Sequence, residues 1–309
     1  MDAKITKKRL GLLLSYDWIK IIGICVAAVL VWSLLFTTIG TRPSNGQRFE
    51  VYLYPNVRLN DSVGADTFHA KDENGALSYD ILDFSTNSLS DDAKDTVMTA
   101  HFAAGQGDVL FAAAQDPTVS EGTNEIAAYN GIDDFISRYY GYAAWLDPSG
   151  APGEITDSEG ETHVLGNYFA DCAAYLDKFY DNGWEDADSL NEQKVRDNFD
   201  VRMERDKRFK NEAQRELGRQ KEIVRIQNLR DAYEKVMEWL NTEDGPIQAE
   251  PRTILLDQNN DGTRETTVEM RYTIDLSNIT NLTEFISSPN ESGNYTGNGM
   301  HMVILNTGS

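Results

Sequence analysis

The chain contains an uncharged run of twenty residues close to its amino terminus, from Ile21 to Gly40. A helix of that length rises about 30 Å, which matches the hydrocarbon core of a bilayer. Five cations precede the run, and four of them cluster at Lys4, Lys7, Lys8 and Arg9. By the positive-inside rule, the pattern predicts a transmembrane helix over residues 18–40, with a cytoplasmic tail of residues 1–17 and an extracellular carboxyl-terminal part.

A cleaved secretory signal is the alternative to this anchor. Its apolar core would span about 7–15 residues, and a small-x-small cleavage site would follow it. The present run is longer and leaves through residues 37–43, which contain no such site, and Cys25 lies inside the run rather than after it. The sequence therefore favours an uncleaved, single-pass anchor and a protein of the cell membrane.

The charge balance excludes one class of partner. The chain has 28 Lys and Arg against 50 Asp and Glu, a formal net charge of −22. Residues 1–44 contribute +4 to that value, which leaves −26 for the remainder. Nucleic acid requires a basic footprint, so it is not expected as a partner. Cys172 is the only cysteine after the span, so no disulfide can form within that part.

Residues 41–48 form a polar linker, and the residues after it predict an α/β lobe over residues 49–128. Segments that alternate, or that are rich in aromatic or apolar residues, predict strands. A helix start with acidic residues in its first turn, and Gly105 after the last turn, predict one helix. The predicted elements are strands at 49–54, 79–84 and 108–112, and a helix from Ser90 to about Ala104. Two strands, a helix and a third strand are typical of a sheet that is parallel or mixed.

The middle of the chain predicts a helix-rich lobe over residues 129–250, and the end a β-rich segment over residues 251–309. The predicted helices cover residues 132–142, 167–180 and 190–240, the last with a break near Gly218, and a loop is predicted at 147–162. Alternation predicts strands at 252–256, 266–274 and 301–305.

A basic island interrupts the acidic sequence at residues 194–235. It contains 13 Lys and Arg and nine Asp and Glu, a net charge of +4. Closely alternating signs are typical of a solvated helical face with ion pairs between successive turns. The alternative is a contact surface for an acidic partner or for the acidic lobe of the same chain.

Residues 257–265, between two predicted strands, are rich in oxygen ligands. They read Asp-Gln-Asn-Asn-Asp-Gly-Thr-Arg-Glu, so Asp257, Asn259, Asp261 and Glu265 occupy positions 1, 3, 5 and 9 with Gly262 at position 6. Carboxylates and amides at alternate positions before a glycine favour a hard cation, and the four residues predict a structural Ca²⁺ site. Position 12 is Val268, however, so the loop departs from an EF-hand. A plain hairpin turn at residues 260–262 is the alternative.

Signatures of catalysis are missing from the sequence. The four histidines, His69, His101, His163 and His301, have no metal-binding spacing, and His101 is expected to be a packed residue of the helix that precedes Gly105. No nucleophile elbow, P-loop or dinucleotide fingerprint occurs. We therefore expect no enzymatic activity, although a hydrolase that uses a pair of carboxylates remains an alternative.

Residues 96–110, Thr-Val-Met-Thr-Ala-His-Phe-Ala-Ala-Gly-Gln-Gly-Asp-Val-Leu, resemble a segment of family-1 extracellular solute-binding proteins, in which a helix ends in such a turn and leads into a buried strand. The entry to the predicted span, residues 7–20, resembles that of anchored surface proteins of Gram-positive bacteria. The resemblance implies a periplasmic-binding-protein-like α/β ectodomain with a helix-rich second lobe. It also implies a small solute, such as a sugar, bound between the lobes, for which the candidate contacts are Tyr54, Asp108 and Trp145.

Two functions from different classes follow from these expectations. The first is a membrane-anchored extracellular solute-binding protein without catalytic activity. The alternative is a structural or assembly partner of a membrane protein complex that uses the same fold as a scaffold. The helical anchor and the basic island favour the second function, and the resemblance favours the first.

Overall fold

The computed structural model of the chain describes residues 43–60, 78–90, 92–114, 131–156, 161–256, 266–289, 295–297 and 299–306. The chain divides into two units between Arg42 and Pro43, and all of these residues belong to the second unit. The predicted transmembrane helix, residues 18–40, lies outside the described residues. Within them, no helix is both long enough and apolar enough to span a bilayer.

Eleven strands occur in the described residues. Their bounds are Arg48–Leu53 (β1), Arg58–Leu59 (β2), Asp83–Ser88 (β3), Val109–Ala113 (β4), Gly153–Thr156 (β5), Thr162–Leu165 (β6), Gln248–Leu256 (β7), Thr266–Asp275 (β8), Ile286–Pro289 (β9), Tyr295–Thr296 (β10) and Met300–Ile304 (β11).

The same residues contain five α-helices and four short 3-10 helices. The α-helices are Lys94–Ala103 (α1), Ile132–Tyr139 (α2), Tyr168–Asp177 (α3), Glu192–Arg202 (α4) and Glu212–Leu240 (α5). The 3-10 helices are Asn45–Gln47, Tyr140–Tyr142, Ala187–Ser189 and Leu282–Glu284.

Six strands form a mixed sheet in the order β3-β1-β4-β11-β8-β7. Strand β1 is parallel to both of its neighbours, β3 and β4. Helix α1 provides the crossover that gives β4 the same direction as β3. Strand β11 is antiparallel to β4 and β8, and β7 is antiparallel to β8, so strands from the end of the chain complete the sheet that β1 begins. The mixed α/β class predicted from the sequence is confirmed.

The two faces of the sheet are covered by different helices, because successive side chains of a strand point to opposite faces. One face packs against α1 and α2, and the buried residues there include Tyr52, Tyr54, Leu110, Val303, Met98, Phe102 and Phe135. The other face packs against the carboxyl-terminal half of α5, and its residues include Val51, Leu53, Phe111, Met300, Tyr233 and Met237. Each such side chain stabilises the fold by about 1.5–3 kcal/mol when it is fully buried.

A third hydrophobic cluster joins α3, α4 and α5. Its buried residues include Leu176, Phe179, Val195, Ile223 and Ile226. Helix α3 begins where the side chain of Asn167 accepts from the amides of Phe169 and Ala170, and α5 begins with a reciprocal capping box between Asn211 and Gln214. Helices α3, α4 and α5 therefore share a core of their own, and the division of the chain into lobes stays a prediction.

The second predicted strand is displaced in the structure. Residues 79–84 were expected to form it, but residues 78–80 form a turn and β3 covers Asp83–Ser88. Tyr79 and Asp80 bind the helices α4 and α5 instead of a neighbouring strand. Strand β3 lies at the edge of the sheet and reads Asp-Phe-Ser-Thr-Asn-Ser, which carries little hydrophobic alternation.

The predicted break of the long helical stretch near Gly218 is also wrong. Helix α4 ends at Arg202, α5 begins at Glu212, and Gly218 is a buried residue in the interior of α5. A Cβ atom at Gly218 would lie 2.8 Å from the ring of Phe209 and closer still to that of Phe199. The glycine therefore permits α5 to approach two aromatic rings, and it does not end the helix.

The predicted loop at residues 147–162 contains most of a short hairpin, in which β5 pairs with β6 from Gly153↔Leu165 to Thr156↔Thr162. Gly153 lies directly against the ring of Trp145, closer than a Cβ atom would permit. Strands of four residues carry too little alternation to be distinguished from a Pro- and Gly-containing loop.

Candidate functional site

The carboxyl ends of the parallel strands β1 and β4 form a topological switch point. From β1 the chain leads to β3 on one side, and from β3 it returns through α1 to β4 on the other side. In open α/β sheets, ligands bind outside such carboxyl ends. Tyr54 directly follows β1 at this edge, and its amide donates to the carbonyl of Phe111 in β4 at 2.9 Å. The fold therefore favours a binding site near Tyr54.

Asp134, in the first turn of α2, lies close to this edge with a fully buried carboxylate. Three donors reach the carboxylate: the Tyr54 hydroxyl at 2.5 Å, the Lys94 ammonium at 2.5 Å and the Arg138 guanidinium at 2.7 Å. The Lys94 nitrogen also lies 5.1 Å from the centre of the Tyr54 ring, a distance typical of cation–π contacts. We refer to Tyr54, Lys94, Asp134 and Arg138 as the Asp134 cluster.

The cluster keeps the Asp134 carboxylate ionised in spite of its burial. Burial alone raises the pKa of a carboxyl group, but the hydrogen bonds from Lys94, Tyr54 and Arg138 outweigh that effect and lower the pKa of Asp134. For Tyr54, burial and the neighbouring Asp134 carboxylate act in the same direction and raise the pKa of the phenol. Lys94 and Arg138 thus compensate the buried negative charge, as a buried carboxylate requires.

A partly exposed group of polar side chains adjoins the cluster. The Arg138 side chain is 43% exposed, and its Nη1 atom lies 3.5 Å from the carboxylate of Asp95, which is 53% exposed. The hydroxyl of Tyr139 donates to the other oxygen of Asp95 at 2.8 Å. Burial, followed by the Asp95 carboxylate, raises the pKa of Tyr139 to about 12. We refer to Asp95, Arg138 and Tyr139 as the Asp95 rim, which offers both donors and acceptors to solvent.

The arrangement is suited to holding groups in place rather than to proton transfer. The Asp134 carboxylate already accepts three hydrogen bonds and has a lowered pKa, so it is a weak base at neutral pH. A general base needs a pKa close to the working pH and an accessible lone pair. The Asp134 carboxylate therefore holds the Arg138 guanidinium, which contacts the carboxylates of both Asp134 and Asp95.

Asp108, the second residue implied by the resemblance, lies at the opposite end of the sheet. It precedes β4, and its carboxylate accepts from the amide of Glu50 at 2.7 Å. Its carbonyl accepts from the amide of Leu305. Burial raises the pKa of Asp108 more than the hydrogen bond from the Glu50 amide lowers it. Nearby, the Tyr52 hydroxyl contacts Nδ1 of His101 at 2.5 Å, so His101 is a packed residue with a partner.

Trp145, the third residue, lies at the same end as Asp108. Ala143 forms a bridge to Leu305, and two residues later the indole of Trp145 donates to the carbonyl of Ala151 at 3.0 Å. Asp108 is hydrogen-bonded to Glu50 in β1, whereas Tyr54 lies four residues further along, or about 13 Å at the rise of a strand. The structure therefore does not bring Tyr54 together with the other two residues.

The predicted calcium ligands, Asp257, Asn259, Asp261 and Glu265, lie outside the described residues. Their flanking strands β7 and β8 pair from Gln248↔Asp275 to Leu256↔Thr266, so residues 257–265 connect an antiparallel pair. In the part of the chain that the structure describes, no group of three His, Cys, Asp or Glu side chains is arranged to hold a metal ion. The calcium site remains a prediction.

A second buried charge network connects α4 and α5 to residues 78–80. Arg202 donates to Asp80 at 2.5 Å and to the fully buried Glu222 at 2.6 Å. Glu222 also accepts from Arg225 and from the hydroxyl of Tyr79. Of these partners, Asp80 lies in the predicted first lobe, in agreement with contact between the island and acidic residues of the same chain. Other pairs, Arg219–Glu216 and Arg230–Glu234, join successive turns of α5, as a solvated helical face predicts.

The sequence alone does not indicate three residues of the Asp134 cluster: Lys94, Asp134 and Arg138. Asp134 and Arg138 are four residues apart, and this spacing alone indicates a helical ion pair. Lys94 and Tyr54, however, are 40 and 80 residues away from Asp134. No local pattern reveals contacts at such separations, and only the family resemblance implies a role for Tyr54.

No protein-family model, no curated protein and no solved structure matches the chain. The architecture is therefore established at the level of a mixed α/β fold.

Proposed function

We propose that the protein is a membrane-anchored, extracellular solute-binding protein without catalytic activity, and that its site is the carboxyl edge of β1 and β4. The ligand class is a small polar solute such as a sugar. The periplasmic-binding-protein-like fold and the anchor of residues 18–40 are parts of the same proposal.

One observation carries the proposal: the Asp95 rim is supported by a buried ion cluster at the topological switch point of the sheet. Burial removes the charges of Asp134 and Lys94 from water, and this costs free energy that their attraction recovers only when the geometry is good. Apolar residues of the same size often stabilise a fold more than such an ion pair does, so stability alone does not account for the cluster. An exposed carboxylate, a guanidinium and a phenol held in fixed positions match the hydroxyl groups of a polar solute.

The segment that carries the family resemblance gives further support. Residues 96–110 form most of α1, the turn after it and the start of the buried strand β4, which is the arrangement that the resemblance implies. Within this proposal, Tyr54 does not contact the solute, because it is only 1% exposed, and it supports the site through its hydrogen bond to Asp134. Asp108 and Trp145 lie at the other end of the sheet and are not part of the proposed site.

A thermal-shift screen of the full-length protein in detergent against sugars and short peptides tests the proposal. A ligand that binds only the native state stabilises it by about 2.7 kcal/mol at a hundredfold excess over its Kd. We expect members of one class of solute to raise the melting temperature. A uniform lack of response across a broad library would contradict the proposal.

The alternative function, an assembly partner of a membrane complex, is favoured by a different observation. The exposed face of the first half of α5 carries Leu217 and Val224, which are 55% and 51% exposed. They lie seven residues apart on one side of the helix, a spacing that suits packing against another helix. Crosslinking in native membranes distinguishes the two functions, because an assembly partner yields one protein neighbour in fixed stoichiometry and a solute receptor does not.

A further inference from the structure

Residues 202–210, from the last residue of α4 into the loop before α5, form a cationic segment in an otherwise acidic protein, and we refer to them as the hairpin tip. It contains five Lys and Arg and two acids, a net charge of +3. Arg202 is paired with Asp80 and Glu222, and Arg208 is paired with Asp206. The ion pairs of Arg202, together with a hydrogen bond from Arg208 to the carbonyl of Tyr79 at 3.0 Å, thus anchor the hairpin tip to the body of the protein.

The other three cations of the tip are available to a partner. Arg205, Lys207 and Lys210 are exposed, and none of them forms an ion pair with a residue that the structure describes. Glu204 is an exposed acid beside them, so the local charge left uncompensated is positive. Unpaired cations on a surface that carries many acids are a basis for charge-complementary binding.

In the sequence, exposed apolar residues occur on both sides of these cations. Val201, in the last turn of α4, is 80% exposed, and Leu217, in the second turn of α5, is 55% exposed. Cations with neighbouring apolar side chains fit the boundary between headgroups and acyl chains of a lipid bilayer.

The hairpin tip also lies beside the residue at which the chain approaches from the predicted span. The side-chain amide of Gln47 donates to the carboxylate of Asp206 at 3.0 Å, and the carbonyl of Gln47 accepts from the amide of Leu82. Gly40, the last residue of the predicted span, is seven residues before Gln47, which is at most about 25 Å of extended chain. In a protein anchored by that span, no more than this length of chain separates Gln47, which binds Asp206 of the hairpin tip, from the end of the anchor.

We propose that the hairpin tip docks on anionic lipid headgroups through Arg205, Lys207 and Lys210, with Val201 and Leu217 at the apolar boundary. This inference rests on the anchor in the proposed function but not on solute binding. The remaining surface is strongly acidic and is repelled by the same headgroups. Attraction at the tip and repulsion elsewhere fix the orientation of the protein on the membrane.

Attraction to an anionic bilayer should decrease steeply when the cations are removed. Each Lys or Arg close to such a surface changes the contact equilibrium about fivefold, so three of them change it by about a hundredfold. The attraction acts only over a Debye length, about 8 Å at physiological ionic strength and about 3 Å at 1 M salt. Salt and charge reversal are therefore two independent ways to release the hairpin tip.

The test uses the full-length protein in nanodiscs of phosphatidylcholine, with or without phosphatidylglycerol, and with a lipid that carries a nitroxide quencher at its headgroup. A fluorophore is attached at Val201→Cys in a Cys25→Ser, Cys172→Ser background. Ala232→Cys, on the exposed side of α5 about 30 Å from the tip, gives the control position. We expect several-fold stronger quenching at position 201 in anionic discs than in neutral discs, and no such difference at position 232.

Charge reversal with a matched control isolates the three cations. Arg205→Glu, Lys207→Glu and Lys210→Glu together should abolish the difference between anionic and neutral discs. The matched variant Lys178→Glu, Lys194→Glu and Lys235→Glu changes the net charge equally at exposed positions elsewhere and should retain it. High salt should release the unmodified tip, which tests the same point without a variant.

The possible failures are distinguishable. Equal quenching in both kinds of disc, in a protein that resists alkaline extraction, would overturn the docking of the tip and leave the anchor intact. A protein that enters neither disc would contradict the anchor and this inference together. Charge-dependent crosslinking of the tip to an acidic protein in native membranes, without a response to lipid alone, would assign the surface to a protein partner and overturn the proposal.

Discussion

Among single residues, Asp134 illustrates how a buried charge is accommodated in this fold. Its carboxylate is removed from water and receives Tyr54, Lys94 and Arg138 as donors. The cluster stabilises the native state only when all of its partners are present, because removal of one partner leaves an uncompensated charge in the interior. The stability of the native state should therefore respond strongly to each member.

Lys94→Met should reduce the free energy of unfolding by about 3–5 kcal/mol, since it leaves the Asp134 charge without its buried cation. Denaturant unfolding measures the change. Lys210→Met is the control, because Lys210 is exposed and should change stability by no more than about 0.5 kcal/mol. Equal small effects of both substitutions would show that the ion pair contributes little to stability.

The lowered pKa of Asp134 predicts a specific acid sensitivity. A carboxyl group whose pKa is lower in the native state than in the unfolded state stabilises the fold above its unfolded pKa, which is about 3.9. That contribution is lost as the pH falls through the lowered native pKa. Asp134→Asn should therefore be less stable than wild type at neutral pH, and the difference should shrink below about pH 4. Unfolding curves at several pH values check this, and a difference independent of pH would contradict it.

The candidate site could be predicted from the sequence only in part. The family resemblance implies Tyr54 as a contact, and the alternating pattern of residues 49–54 predicts its place at the end of a strand. Its role as a donor to Asp134 depends on α2, which is 80 residues away in the chain. Contacts of this kind arise from the order of strands in the sheet, which no local pattern encodes.

Among the secondary-structure elements, α5 shows how one glycine can be mistaken for a helix end. Its helical pattern and its capping residue Asn211 are visible in the sequence, and both occur in the structure. The sequence could not show that Phe199 and Phe209 pack against Gly218. A glycine inside a helix costs about 1 kcal/mol relative to alanine, and here it offsets that cost through close packing.

Gly218→Ala should therefore destabilise the protein in spite of the better helix propensity of alanine. The added methyl group meets two rings in a packed interior, for which about 1–3 kcal/mol is typical. Gly141→Ala is the control, because a Cβ atom at Gly141 has no neighbour within 4 Å. Chemical denaturation of both variants tests the prediction, and a stabilised Gly218→Ala protein would contradict it.

The connection between β7 and β8 carries the calcium prediction. If Asp257, Asn259, Asp261 and Glu265 bind Ca²⁺, chelation should lower the melting temperature, because three carboxylates then repel one another. Asp261→Ala should abolish the effect of the chelator. If the connection is a plain turn, chelation should have no effect and Gly262→Ala should be the more damaging substitution. Identical wild-type melting curves with and without calcium would exclude the metal.

At the scale of the whole molecule, charge is distributed unevenly and follows the architecture. The chain carries a net charge of −22, yet cations concentrate on α4, α5 and the loop between them. Some of them, such as Arg202 and Arg225, compensate buried acids, and others remain on the surface at the hairpin tip. The sequence shows the basic island, but only the fold shows which of its cations bind buried acids and which are exposed to solvent.

Ligand-dependent stabilisation of the full-length protein, measured for wild type and two variants, tests the central claim most directly. Asp95 belongs to the exposed rim, whereas Asp92 is an exposed acid close by in the sequence for which no rim contact exists in the described residues. With a solute identified by the thermal-shift screen, we expect Asp95→Asn to lose most of the rise in melting temperature and Asp92→Asn to retain it. Equal stabilisation of all three proteins would contradict a site at this edge of the sheet, and the absence of any stabilising solute would contradict solute binding.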